Sequence, residues 1–77
     1  MKCEVRPGLI NSERVALIPT VHGWSEEVTV SEQEVDDNTV RAGFIGQHNG
    51  KVLIELPRET ASGHWRVWVH ADQVVGE

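Results

Sequence analysis

Apolar positions along this chain alternate with polar ones or gather in short β-branched runs, and no window carries a sustained i, i+3, i+4, i+7 spacing. Period-two alternation is the mark of half-buried strands. It predicts an extended segment over residues 2–6, closed by the turn pair Pro7-Gly8, and a strand over 14–18 stopped by Pro19. Residues 22–25 read as a loop, 27–35 as a strand with Val28 and Val30 on one face, and Asp36, Asp37 and Asn38 as a turn. Two apolar stretches, 39–47 and 51–56, flank Asn49-Gly50. That pair predicts a tight hairpin, because both central residues of a type I′ turn take positive φ. Residues 57–63 read as a longer turn and 64–70 as the last full strand. Ala71, Asp72 and Gln73 read as a single helical turn before Val74 and Val75.

The alternations also fix registers. Val52 opposite Val69, Ile54 opposite Val67 and Leu56 opposite Trp65 all belong to one register. The other face then sets Leu53 across from Trp68, Glu55 from Arg66 and Lys51 from His70. A two-residue turn at Asn49-Gly50 pairs His48 with Lys51, which carries Ile45 to Ile54, Gly46 to Leu53 and Phe44 to Glu55. The expected core is Val15, Leu17, Val28, Val30, Ile45, Val52, Ile54, Leu56, Trp65, Val67 and Val69. The outer face of this three-stranded sheet collects Phe44, Leu53 and Trp68, rimmed by Glu55, Arg66 and His70. An apolar patch with a charged rim has the anatomy of an association surface. A bulge at Ala42-Gly43, or a longer turn, instead swings Phe44 inward with Val40 and Ala42. Trp24, following Gly23, either lines a groove or caps one end of the fold.

Five or six short strands without a helix need to close up, since open edges invite aggregation. The order of elements resembles an SH3-like barrel: strand, long polar loop, strand, turn, two tight hairpins, helical turn, short last strand. The resemblance is architectural, covers about residues 14–75, and includes the spacing of Trp68-Val69-His70-Ala71-Asp72-Gln73-Val74-Val75. It implies an all-β barrel, and the length of 77 residues makes the chain one domain over residues 1–77. Peptide-binding SH3 domains carry an Ala-Leu-Tyr-Asp-Tyr-type run after the first strand, where this chain has Val15-Ala16-Leu17-Ile18-Pro19. Gln73 stands where a groove tyrosine is expected, and the chain has no tyrosine. Recognition of proline-rich peptides is therefore not implied.

The layout of Arg41-Ala42-Gly43-Phe44-Ile45-Gly46, then residues 50–55, then 63–69, is also similar to the plasmid-type (type II) dihydrofolate reductases. Those proteins build one active pore from four copies. Their Val-Gln-Ile-Tyr signature is replaced here by Arg66-Val67-Trp68-Val69, so the ligand-binding glutamine and tyrosine are missing and the activity is not implied. The resemblance implies only that the outer face of this strand can become the central surface of an oligomer.

Composition narrows the partners. In 77 residues, 39% hydrophobic and 25% charged, a net charge of -5 opposes docking on nucleic acid or anionic lipid. Arg6, Arg14, Arg41, Lys51, Arg58 and Arg66 are spread along the chain rather than clustered. No apolar run approaches the roughly 20 residues of a membrane span. Glu4, Arg6, Glu13 and Arg14 interrupt any N-terminal secretory segment. Cys3 alone forms no intramolecular disulfide and no cysteine-rich zinc site, so a cytoplasmic location is expected.

Chemistry is thin. His64 and His70 share a face but stand roughly 20 Å apart along a strand, and His22 and His48 sit in separate loops. No metal or cofactor is expected. Ser12, Ser25, Ser31 and Ser62 read as turn or surface residues. The adjacent pairs Glu26-Glu27 and Asp36-Asp37 read as solubilising charge, since neighbours on a strand point to opposite faces. The function expected is a small non-catalytic interaction module that self-associates or binds a protein partner. Its candidate binding residues are Trp68, Leu53, Phe44, Arg66, Glu55 and Trp24. The alternative is a small-molecule binder or enzyme whose site forms only at an oligomer interface.

Overall fold

The structure is a computed structural model, and residues 1–74 are described. Eight strands follow in order: β1 (Glu4–Pro7), β2 (Glu13–Pro19), β3 (Ser25–Ser31), β4 (Val35–Asp36), β5 (Thr39–Val40), β6 (Gly43–His48), β7 (Lys51–Glu55) and β8 (Arg66–His70). Single 3-10 turns cover Glu32–Glu34 and Ala71–Gln73, the latter being the helical turn expected before the end of the chain. The fold is all-β. Its three antiparallel sheets, β1-β2-β3, β4-β5 and β6-β7-β8, do not close on one another by hydrogen bonds among the described residues. Val75, expected in a short last strand, lies outside the described residues.

The two outer sheets face each other over one core of Ala16, Ile18, Val28, Val30, Val40, Val52, Ile54, Leu56, Val67, Val69 and Met1. The β7–β8 ladder has the expected register throughout, from Lys51 opposite His70 to Glu55 opposite Arg66. Asn49 and Gly50 take φ of 52° and 77° and close the expected hairpin, with His48 opposite Lys51. The first residues tie the sheets together. The Met1 amino group and backbone exchange hydrogen bonds with Val40, and Lys2 N–H donates to the Gln73 carbonyl at 2.7 Å.

Four expected core residues lie elsewhere. In β2 it is Ala16 and Ile18 that are buried, while Val15 and Leu17 are only partly so. All four are apolar, so β2 alone offers two equivalent faces. β3 chooses between them, because its own alternation is unambiguous: Glu26, Val28 and Val30 are buried, and Ser25, Glu27 and Thr29 are exposed. Pairing Ala16 with Val28 turns Leu17 outward between Glu4 and Glu27. Ile45 is 41% exposed because the β6–β7 ladder slips there: Phe44, not Ile45, pairs with Ile54, and Gly43 pairs with Glu55. The bulge falls at Ile45, two residues beyond the Ala42-Gly43 alternative. Glycines at 43 and 46 bracket it, which lowers the resistance of the backbone to the extra residue. Trp65 is 52% exposed. Its carbonyl still accepts from Leu56 N–H, but it lies just before the first residue of β8, at the mouth of the 57–64 loop.

Two long expected strands are broken. The stretch 27–35 stops at Ser31, whose hydroxyl accepts from Gln33 N–H at 3.3 Å, while its own N–H donates to the Glu34 carboxylate at 2.9 Å. This reciprocal cap starts a helical turn. The stretch 39–47 divides into β5 and β6.

Candidate functional site

The site grows from a tight turn between β2 and β3. Thr20 is buried, and its hydroxyl and N–H both donate to the Trp24 carbonyl, at 2.8 and 3.0 Å. Gly23 takes φ 93°, a left-handed conformation that side chains resist. The loop expected over residues 22–25 is thus part of a closed turn over residues 20–24. Val21 N–H donates to the Trp68 carbonyl at 3.0 Å, which fastens this turn along the free edge of β8. On the turn, His22 and Trp24 stack with ring centres 5.0 Å apart.

Trp24 is fixed by a buried carboxylate. Its indole N–H donates to Glu26 Oε2 at 3.0 Å. Glu26 is 4% exposed. The Ser62 hydroxyl donates to its other oxygen at 2.5 Å, and His64 Nδ1 lies 3.3 Å from Oε2. Ser62 and His64 come from a second tight turn. There Thr60 N–H donates to the His64 carbonyl and Ala61 N–H donates to the Glu27 carbonyl, pinning the turn to β3. Burial pushes the Glu26 carboxyl up, but hydrogen bonds from Ser62, Trp24 and Thr60, and the nearby His64, together outweigh it and hold the group at about 2.

Serine, histidine and glutamate within hydrogen-bond reach invite a nucleophile reading, and the geometry rejects it. The Ser62 proton points at the carboxylate, not at an imidazole, and His64 turns the same nitrogen, Nδ1, to both Ser62 and Glu26. A carboxylate that titrates near 2 is far too weak a base to take a proton from an alcohol at neutral pH. The cluster is a clamp that joins the 20–24 turn, β3 and the 60–64 turn.

Next to the clamp lies a cavity of about 120 Å³ lined by His22, Trp24, Glu26, His64, Arg66 and Trp68 among others. Three sequence-derived candidates, Trp24, Arg66 and Trp68, therefore meet in one place. Trp24 lines this groove. Leu53 stands directly across from Trp68, both partly exposed, and Arg66 Nε lies 3.3 Å from the Glu55 carboxylate. Gly46 leaves open space beside Leu53. Phe44 does not join this face. The slip at Ile45 pairs it with Ile54 on the other side of the sheet, 63% exposed, where it lines a separate cavity of about 390 Å³ with Met1, Val40 and Ala42. Glu34, Asp36 and Arg41 lie at the wall of that larger cavity, and the Met1 ammonium donates to the Val40 carbonyl beside them.

Sequence reasoning missed Glu26 and its partners. Glu27 is exposed as expected of solubilising charge, but Glu26 is not. A signal was present: His22, Trp24 and Glu26 stand at every second position ahead of Val28 and Val30, and Thr60, Ser62 and His64 are spaced likewise. Among the described residues no group of three or more His, Cys, Asp and Glu side chains is placed to hold a metal ion, and no helix is long and apolar enough to cross a membrane. Compared with family models, curated proteins and solved structures, the chain matches none.

Proposed function

We propose that this chain is a small interaction module, without catalysis of its own, that self-associates or binds a protein partner through the outer face of β6-β7-β8. The observation that carries this is the direct opposition of Leu53 and Trp68, both partly exposed, beside the cleft that holds Trp24. Tryptophan is the residue most enriched at binding hot spots, and an apolar centre with a charged rim is the ordinary layout of such a surface. The Glu55–Arg66 pair makes the face self-complementary in charge: a two-fold contact brings each Arg66 near a second Glu55. A second copy is thus the favoured occupant. An SH3-like order of strands, and a cytoplasmic location for a chain with one thiol, belong to the same proposal.

Light scattering on the eluting wild type tests it. A dimer or larger assembly is expected, and Leu53→Glu and Trp68→Glu are each expected to be monomeric with unchanged circular dichroism. A wild type that is monomeric at high concentration rejects self-association. An assembly that survives Leu53→Glu in a folded protein rejects this face.

A further inference from the structure

The cavity beside Trp24 has a chemistry that the association face does not explain. Its volume of about 120 Å³ is well below the roughly 300–1,000 Å³ of ordinary ligand pockets, so it holds a single head group or side-chain tip. Trp24 and Trp68 line it, and His22 stacks on Trp24. Glu26 forms part of its wall at 4% exposure. Buried charges are ordinarily matched by an opposite charge. Among the described residues the only ion-pairing neighbour of Glu26 is the His64 imidazole, a cation only when protonated. Hydroxyl and indole donors satisfy its oxygens without cancelling its charge.

The other lining groups point the same way. The Trp24 N–H and the Thr20 hydroxyl are already spent inside the clamp, so neither is free to receive an anion. Arg66 Nε pairs with the Glu55 carboxylate at 3.3 Å, which partly offsets its charge. An ionised carboxylate and two tryptophans around a small, partly desolvated space attract a cation, and an alkylated one best, because its methyl groups fit an apolar wall while an indole ring attracts its charge.

We propose that the Trp24–Trp68 cavity is a binding site for an alkylammonium head group, such as a quaternary ammonium or a methylated lysine side chain. It shares Trp68 and Arg66 with the association face and adds Trp24 and Glu26, which lie outside β6-β7-β8.

The test is a titration of ¹⁵N-labelled protein followed at the three indole N–H resonances. The ligands are choline, its neutral isostere 3,3-dimethylbutan-1-ol, and a short peptide carrying trimethyllysine. Choline and the peptide are expected to shift Trp24 and Trp68 saturably, with a dissociation constant of about 1 mM or tighter, and to leave Trp65 unmoved. The isostere is expected to bind at least about tenfold more weakly. A peptide that binds about tenfold tighter than choline assigns the head group to a protein side chain; equal affinities assign it to a free small molecule. Trp24 is 55% exposed, so Trp24→Ala is expected to fold and to lose binding by about tenfold. Leu53→Glu, which breaks the association face, is expected to bind as the wild type does. An isostere that matches choline overturns the proposal, and so does the absence of a saturable indole shift with both cationic ligands.

Discussion

Strand β7 has two neighbours, and they follow the pattern of its apolar residues to different degrees. Against β8 all five residues pair in the register that alternation demands. Against β6 the ladder keeps the register of the Asn49-Gly50 turn at His48, Gln47 and Gly46, then slips at Ile45. The difference lies in what a slip would do. Moving β8 by one residue would send Arg66, Trp68 and His70 into the core and expose Val67 and Val69, and the bond from Val21 to the Trp68 carbonyl holds the far edge as well. At the start of β6 the residues are Gly43, Phe44 and Ile45, all exposed, and among the described residues no strand pairs with its outer edge. Little buried area depends on that register, so little free energy opposes a bulge.

Ile54 belongs to both ladders and is 2% exposed, so it carries the largest expected effect. Ile54→Ala is expected to destabilise by about 2–5 kcal/mol in denaturant unfolding. A loss under about 1 kcal/mol would mean that the shared strand is not the centre of the core.

The Glu26 clamp, which anchors the turn lying along β8, comes next. Its carboxyl sits at about 2 when folded against an ordinary 4.5, so the folded state binds its proton less readily than the unfolded chain. The stabilisation is therefore complete above pH 4.5 and is lost as the pH falls from 4.5 through 2. Its size is on the order of 3 kcal/mol. Denaturant midpoints measured across that window are expected to fall more steeply for the wild type than for Glu26→Gln. Parallel curves would show that Glu26 is not the clamp's charge.

The smallest effect sharpens the comparison from its weak side. Ile45→Ala is expected to change stability by less than about 1 kcal/mol, since Ile45 is unpaired and 41% exposed. A loss as large as that of Ile54→Ala would place Ile45 in the core and remove the bulge.

The sequence by itself determined the all-β class, the tight Asn49-Gly50 hairpin, the β7–β8 register, the opposition of Leu53 and Trp68 and the Glu55–Arg66 pair. Each follows from turn chemistry or from alternation between neighbouring segments, which act over a few residues. Tertiary structure decided the rest. Only β3 could choose between the two apolar faces of β2. Only the unpaired edge of β6 let Phe44 leave the face that holds Leu53 and Trp68, and only the end of β8 left Trp65 outside the core. Above all, the meeting of Glu26 with Ser62, 36 positions away, made a solubilising acid into the buried anchor of Trp24. Alternation says which side of a strand a residue takes, but not which distant turn will lie against it.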